Sequence, residues 1–172
     1  FLSWLMLVFQ KKIYQTIFKK TNIYGYITVF LALVIHFSTA LIGQKMLWEI
    51  KIDSPVSFLN FDTYFVYAKP FDVLFQEIII IWLIYTLHMN YTLLRKTIGI
   101  LIVFFGVSHT ILIYFMWAFW GIYFTVFAVI GSIILPILIT RFRNGWAYAY
   151  ALHLCFYSIS AVAYLLKSQN IL

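Results

Sequence analysis

The chain has 172 residues, of which 65% are hydrophobic and only 10% charged, with a mean hydropathy of +0.97. Soluble domains carry about 25% charged residues, so this balance excludes a water-soluble globule and indicates an integral membrane protein in contact with the lipid bilayer. The net charge of +7 does not indicate nucleic acid, because the basic residues sit between apolar spans, where membrane topology places them.

The apolar runs are long and lack the alternation of barrel strands, so the expected fold is all-α. It is a polytopic transmembrane helix bundle of about five spans in a single membrane domain, 1–172. Residues 1–9 are apolar but shorter than the ~20 residues that cross a bilayer. They read as a sixth, partial span. The segment 10–20 carries Lys11, Lys12, Lys19 and Lys20 among Ile, Tyr and Phe, as an interfacial segment on anionic headgroups does.

The first full span is 23–43 and contains His36. The outer loop 44–64 is the most polar stretch, with Lys45, Glu49, Lys51, Asp53 and Asp62 and a turn at Ser54-Pro55. The second span, 70–90, opens with Pro70 in its first turn and Asp72 at the positive end of the helix dipole. It ends near His88 and Asn90. Arg95 and Lys96 mark the next loop. The third span is 98–119, with Gly99, Gly106 and Ser108 as close-approach positions. A short link at Trp120-Gly121 leads to the fourth span, 122–140, where Gly131 and Pro136 are candidate bends. Arg141 and Arg143 form a short basic loop before the fifth span, 145–166. Cys155 is the single cysteine and lies inside a span, so no internal disulfide forms.

Five spans place Lys11, Lys12, Lys19, Lys20, Arg95, Lys96, Arg141 and Arg143 on one side, with no acid in those loops. The acidic loop 44–64 falls on the other. The expected location is the cell membrane, with the N-terminal side cytoplasmic. The sequon Asn90-Tyr91-Thr92 then faces inward and goes unused.

Ionisable groups inside spans are costly and mark sites. Gln76 and Glu77 lie well inside the second span. At 1.5 Å of rise per residue, Glu77 and His109 each lie about 16 Å deep, His153 about 12 Å and His36 about 20 Å. Glu77, His109 and His153 are therefore expected in one layer, facing a common cavity. In the fifth span Trp146, Tyr150, His153, Tyr157, Ser160 and Tyr164 step by three and four, forming one polar helix face. Two imidazoles and a carboxylate suit a catalytic zinc with an open water position, with Glu77, His109 and His153 as ligands. Alternatively, Glu77 is a general base while the histidines orient water or bind an oxyanion. Singly, each histidine also fits an interhelical hydrogen bond, and Glu77 a neutral buried carboxyl. His36 and His88 read as structural.

Glu77, Phe105-Gly106-Val107-Ser108-His109, and His153 behind Arg143-Asn144-Gly145-Trp146 resemble the CPBP family over about 70–166. These are the CAAX-prenyl-protease and bacteriocin-processing (Abi) intramembrane proteases. Their pattern is EExxxR, FxxxH and HxxxN on separate membrane helices. Phe105 and His109 match FxxxH. The chain departs at Gln76 for the first Glu, Ile81 for the Arg and Tyr157 for the Asn. The resemblance implies an intramembrane endopeptidase acting on membrane-proximal peptides, with Glu77, His109, His153 and Tyr157 as the site. In that family the first Glu activates water, which a glutamine cannot do, whereas Tyr157 can still donate a hydrogen bond. The departures open an alternative, a catalytically inactive CPBP-like subunit of a membrane protein complex. A third class is a b-type haem protein using pairs of these histidines.

Overall fold

The computed structural model describes residues 15, 21–47, 59–90, 93–116 and 118–168. The expected partial span 1–9, nearly all of the basic segment 10–20 and most of the outer loop lie outside these residues. Among the described residues every regular element is helical. Helix α1 is Ile23–Leu47, a π-helical turn Tyr64–Ala68 runs directly into α2 (Lys69–Asn90), α3 is Leu94–Thr110, α4 is Leu112–Phe115, α5 is Ala118–Arg141 and α6 is Gly145–Ser168. Five segments are long and apolar enough to cross a membrane: Ile23–Met46, Tyr64–Leu87, Leu94–Phe115, Ala118–Arg141 and Gly145–Lys167. The chain is an all-α, polytopic membrane protein.

Its residues group into two compact units, Asn22–Glu77 with Ala147–Leu172, and Phe1–Thr21 with Ile78–Trp146. In the first, α1 starts at Asn22, whose side-chain oxygen accepts the Gly25 N–H at 3.4 Å. Its core joins Ala32, Val73, Tyr150 and Leu154, with Val29, Leu33, Leu74 and Tyr157 against it. Gly43 admits the Phe61 ring at a distance that leaves no room for a Cβ. The polar stripe of α6 faces inward as its spacing predicts. Tyr150, Ser160 and Tyr164 are buried, while Leu152, Ile159 and Val162 on the other face are exposed.

The second span differs from expectation at its start. The helix begins at Tyr64, not at Pro70, and reaches the proline through the π turn. The Asp62 carboxylate accepts the Phe65 N–H at 2.8 Å, closing the N-terminal end. Lys69 N–H bonds to Tyr64 O, five residues back. The same register would offer Pro70 to Phe65 O, but proline has no N–H. His36 fills the gap: its Nε2–H donates to Phe65 O at 3.0 Å, and Ser158 Oγ lies 3.1 Å from its Nδ1. His36 is 0% exposed with both ring nitrogens engaged. It is a structural histidine, as the sequence reading holds.

In the second unit, α3 and α5 run antiparallel. Ser132 Oγ donates to Leu101 O at 3.2 Å, and Thr125 Oγ1 to His109 O at 2.9 Å. Gly106 lets a Val129 methyl within 3.3 Å of where a Cβ would stand. The expected third helix does not run unbroken to Phe119; it turns at Ile111 and resumes as α4. Just before the turn, Ser108 Oγ and His109 Nδ1 both donate to Phe105 O, and Thr110 Oγ1 donates to Val107 O. Such back-bonding diverts carbonyls from the helix ladder and bends the chain. Trp120-Gly121 is not the link to the fourth span, because α5 already starts at Ala118. Gly121 is instead a contact point: a Cβ there would strike the backbone of Ile113. Helix α5 continues through Pro136.

Candidate functional site

Helices α2 and α6 bring Glu77 and His153 together. Nδ1 of His153 lies 2.7 Å from Oε1 of Glu77. Both residues project from helix interiors, 76 positions apart in sequence, so backbone rigidity rather than loop geometry sets the pair. Glu77 is 1% exposed and its second oxygen, Oε2, is buried with no hydrogen-bond partner among the described residues. A buried carboxylate oxygen left in this way demands a donor. The His153 side chain is 18% exposed, so the imidazole is the accessible member of the pair.

The chemistry of the pair follows from its atoms. Wherever Glu77 is a carboxylate, which only accepts, Nδ1 of His153 is the donor and Nε2 is the ring's open nitrogen. The bond fixes the orientation of the imidazole relative to Glu77.

Tyr157, one turn along α6, stacks on His153 with centroids 5.2 Å apart and planes at 20°. The Lys69 ammonium lies 3.8 Å from the centre of the Tyr157 ring and pairs with Asp72 at 2.9 Å. Gln76 lies one turn beyond Asp72 on the same face of α2 and interacts electrostatically with the Asp72 and Tyr157 side chains. The Tyr150 hydroxyl donates to Pro70 O at 3.2 Å.

Sequence reasoning missed Lys69, Asp72 and Gln76 as members of this network. Asp72 reads from sequence only as a helix-dipole partner. The available signal was their i, i+3 spacing, extended to Gln76 one turn on, which puts all three on one face of a helix.

His109 belongs to the other unit. Its Nδ1 donates to Phe105 O of its own preceding turn at 2.8 Å, with Ser108 Oγ 3.3 Å away. Ile81, at the family's arginine position, is buried. The His88 side chain lies outside the described residues. Of the expected zinc ligands Glu77, His109 and His153, the unit that contains Glu77 and His153 supplies two. Among the described residues no group of three His, Cys, Asp or Glu side chains stands ready to hold a metal ion. No family model, curated protein or solved structure matches this chain.

Proposed function

We propose that the chain is a CPBP-like intramembrane endopeptidase of the cell membrane, with its N-terminal side cytoplasmic, in which His153 is the base and Glu77 its orienting partner. The observation that carries this reading is the 2.7 Å bond from His153 Nδ1 to a carboxylate that is 1% exposed. A hydrolase that works inside a membrane needs a base held in one tautomer and shielded from bulk water. In the reaction, a water gives its proton to Nε2 while its oxygen attacks the carbonyl carbon of a membrane-proximal peptide. The C–N bond then breaks, and the proton passes from Nε2 to the departing amine. Glu77 remains bonded to Nδ1 throughout and balances the imidazolium charge.

One observation favours a second reading, that of an inactive subunit of a membrane complex. Tyr157, at the family's asparagine position, has the Lys69 ammonium 3.8 Å from its ring centre and its ring stacked on His153, and Gln76 stands at the family's base position. The full chain in proteoliposomes, given a membrane-anchored reporter peptide, separates the two. Hydrolysis that falls about 10²–10⁴-fold in His153→Ala and Glu77→Gln supports the first reading. An inert wild-type chain supports the second, and a Soret band in the purified protein would displace both in favour of haem.

A further inference from the structure

All five acids of the chain, Glu49, Asp53, Asp62, Asp72 and Glu77, lie between positions 49 and 77. The unit that contains 78–146 therefore has no acid of its own, yet it carries Arg95, Lys96, Arg141 and Arg143. All four are exposed.

The antiparallel register of α3 and α5 puts these cations at one end of the helix pair. Leu101 and Ser132 are hydrogen-bonded neighbours. Counting back from Leu101 to Arg95 and on from Ser132 to Arg141, the two arginines differ by about 4.5 Å along the axis, and Lys96 and Arg141 by about 6 Å. Arg95 and Lys96 also stand in the first turn of α3, which has no acid and no side-chain cap on its N-terminal residue Leu93. Cations there oppose the helix dipole, so the arrangement costs stability unless an anion joins it. Exposed Leu93 and Phe142 flank the same end and give it an apolar rim.

We infer that this end of the α3–α5 pair is a binding site for the phosphate headgroup of an anionic phospholipid. The four cations recognise the phosphate charge, and Leu93 and Phe142 meet the glycerol and upper acyl region. A dispersed basic surface would hold lipid diffusely, whereas cations brought to nearly one level at the ends of two antiparallel helices bind it in a saturable way. The inference stands apart from the hydrolytic reading, since it uses no residue of the Glu77–His153 network.

The test is native mass spectrometry of the full chain in detergent, titrated with phosphatidylglycerol, with phosphatidylcholine and with inorganic phosphate. The expected result is a discrete phosphatidylglycerol adduct that saturates and exceeds phosphatidylcholine in affinity. Each cation removed weakens it about fivefold, hence about thirtyfold for Arg95→Gln with Arg141→Gln. Lys45→Gln, an exposed cation at the end of α1 in the other unit, leaves the affinity within about twofold. Equal binding of the two lipids, an unsaturable series of adducts, or the same loss with Lys45→Gln would overturn the assignment. So would inorganic phosphate displacing the lipid completely, which would mark a soluble-anion site instead.

Discussion

The two units hold their helices by different means. In the unit of 22–77 and 147–168, polar side chains reach across from one helix to the next: Glu77 to His153, His36 to Ser158 and Phe65, Tyr150 to Pro70. In the unit of 78–146, bonds cross between helices from Thr125 to His109 O and from Ser132 to Leu101 O, while a run of polar side chains before the turn at Ile111 bonds to its own helix. Ser108, His109 and Thr110 spend their hydrogens on the preceding turn, and close approach comes from Gly106, Gly121 and the small Ser132. In lipid both are workable, since helix association rests on packing of small residues and on interhelical hydrogen bonds rather than on hydrophobic expulsion. The difference teaches which polar residues to suspect of function. A histidine that folds back on its own carbonyls has met its need locally. One aimed at a carboxylate on another helix has not, and its geometry is costly to maintain without a use.

That contrast can be broken by substitution. The largest effect is expected from His153→Ala, which strands Glu77 in the interior and should cost about 3 kcal/mol in a reversible unfolding assay. A loss below about 1 kcal/mol would mean that the pair contributes no more than an average membrane hydrogen bond. Gly121→Ala comes next. Its methyl meets the backbone of Ile113, which cannot rotate away, and about 2 kcal/mol of destabilisation is expected. A neutral Gly121→Ala melt would show that α4 is free to shift. His36→Leu should cost about 1.5 kcal/mol, because the Phe65 carbonyl then has neither His36 nor Pro70 as donor. The smallest effect belongs to His109→Ala, about 0.5 kcal/mol, since only a bond within one turn is lost. If His109→Ala instead matches His153→Ala in both stability and hydrolysis, the division drawn between the two histidines fails.

Much of the fold is legible before any coordinates. Apolar runs of span length are a strong signal because the bilayer demands that every backbone group be satisfied within the helix. The inward stripe of α6 is legible for a similar reason: aromatic and hydroxyl residues every three or four positions leave one helix face unsuited to lipid. The breaks are less so. Nothing in the apolar run 98–119 announces the turn at Ile111, which depends on three consecutive side chains choosing their own carbonyls. Trp120-Gly121 looks like a link because glycine commonly marks one, but here the missing Cβ serves packing. At the site, depth arithmetic places Glu77 and His153 at compatible levels, and the pair does meet. Depth says nothing about azimuth, however, and azimuth decides which neighbour a side chain meets. Asp72 and Gln76 are each legible alone, but that they and Lys69 share one helix face with the pair is not read from the sequence.

The π turn at Tyr64–Ala68 carries one more residue than an α-helical turn of the same rise. It therefore acts as a phase shifter, offsetting the helical wheel of Asp62 and Tyr64 from that of Asp72 and Gln76 by about a hundred degrees. Deleting a single residue there would convert the turn to regular α-helix, yet would rotate everything on one side of it out of step with the other. The insertion is thus a timing element in the chain, and its single surplus residue decides which side chains come round to face His36.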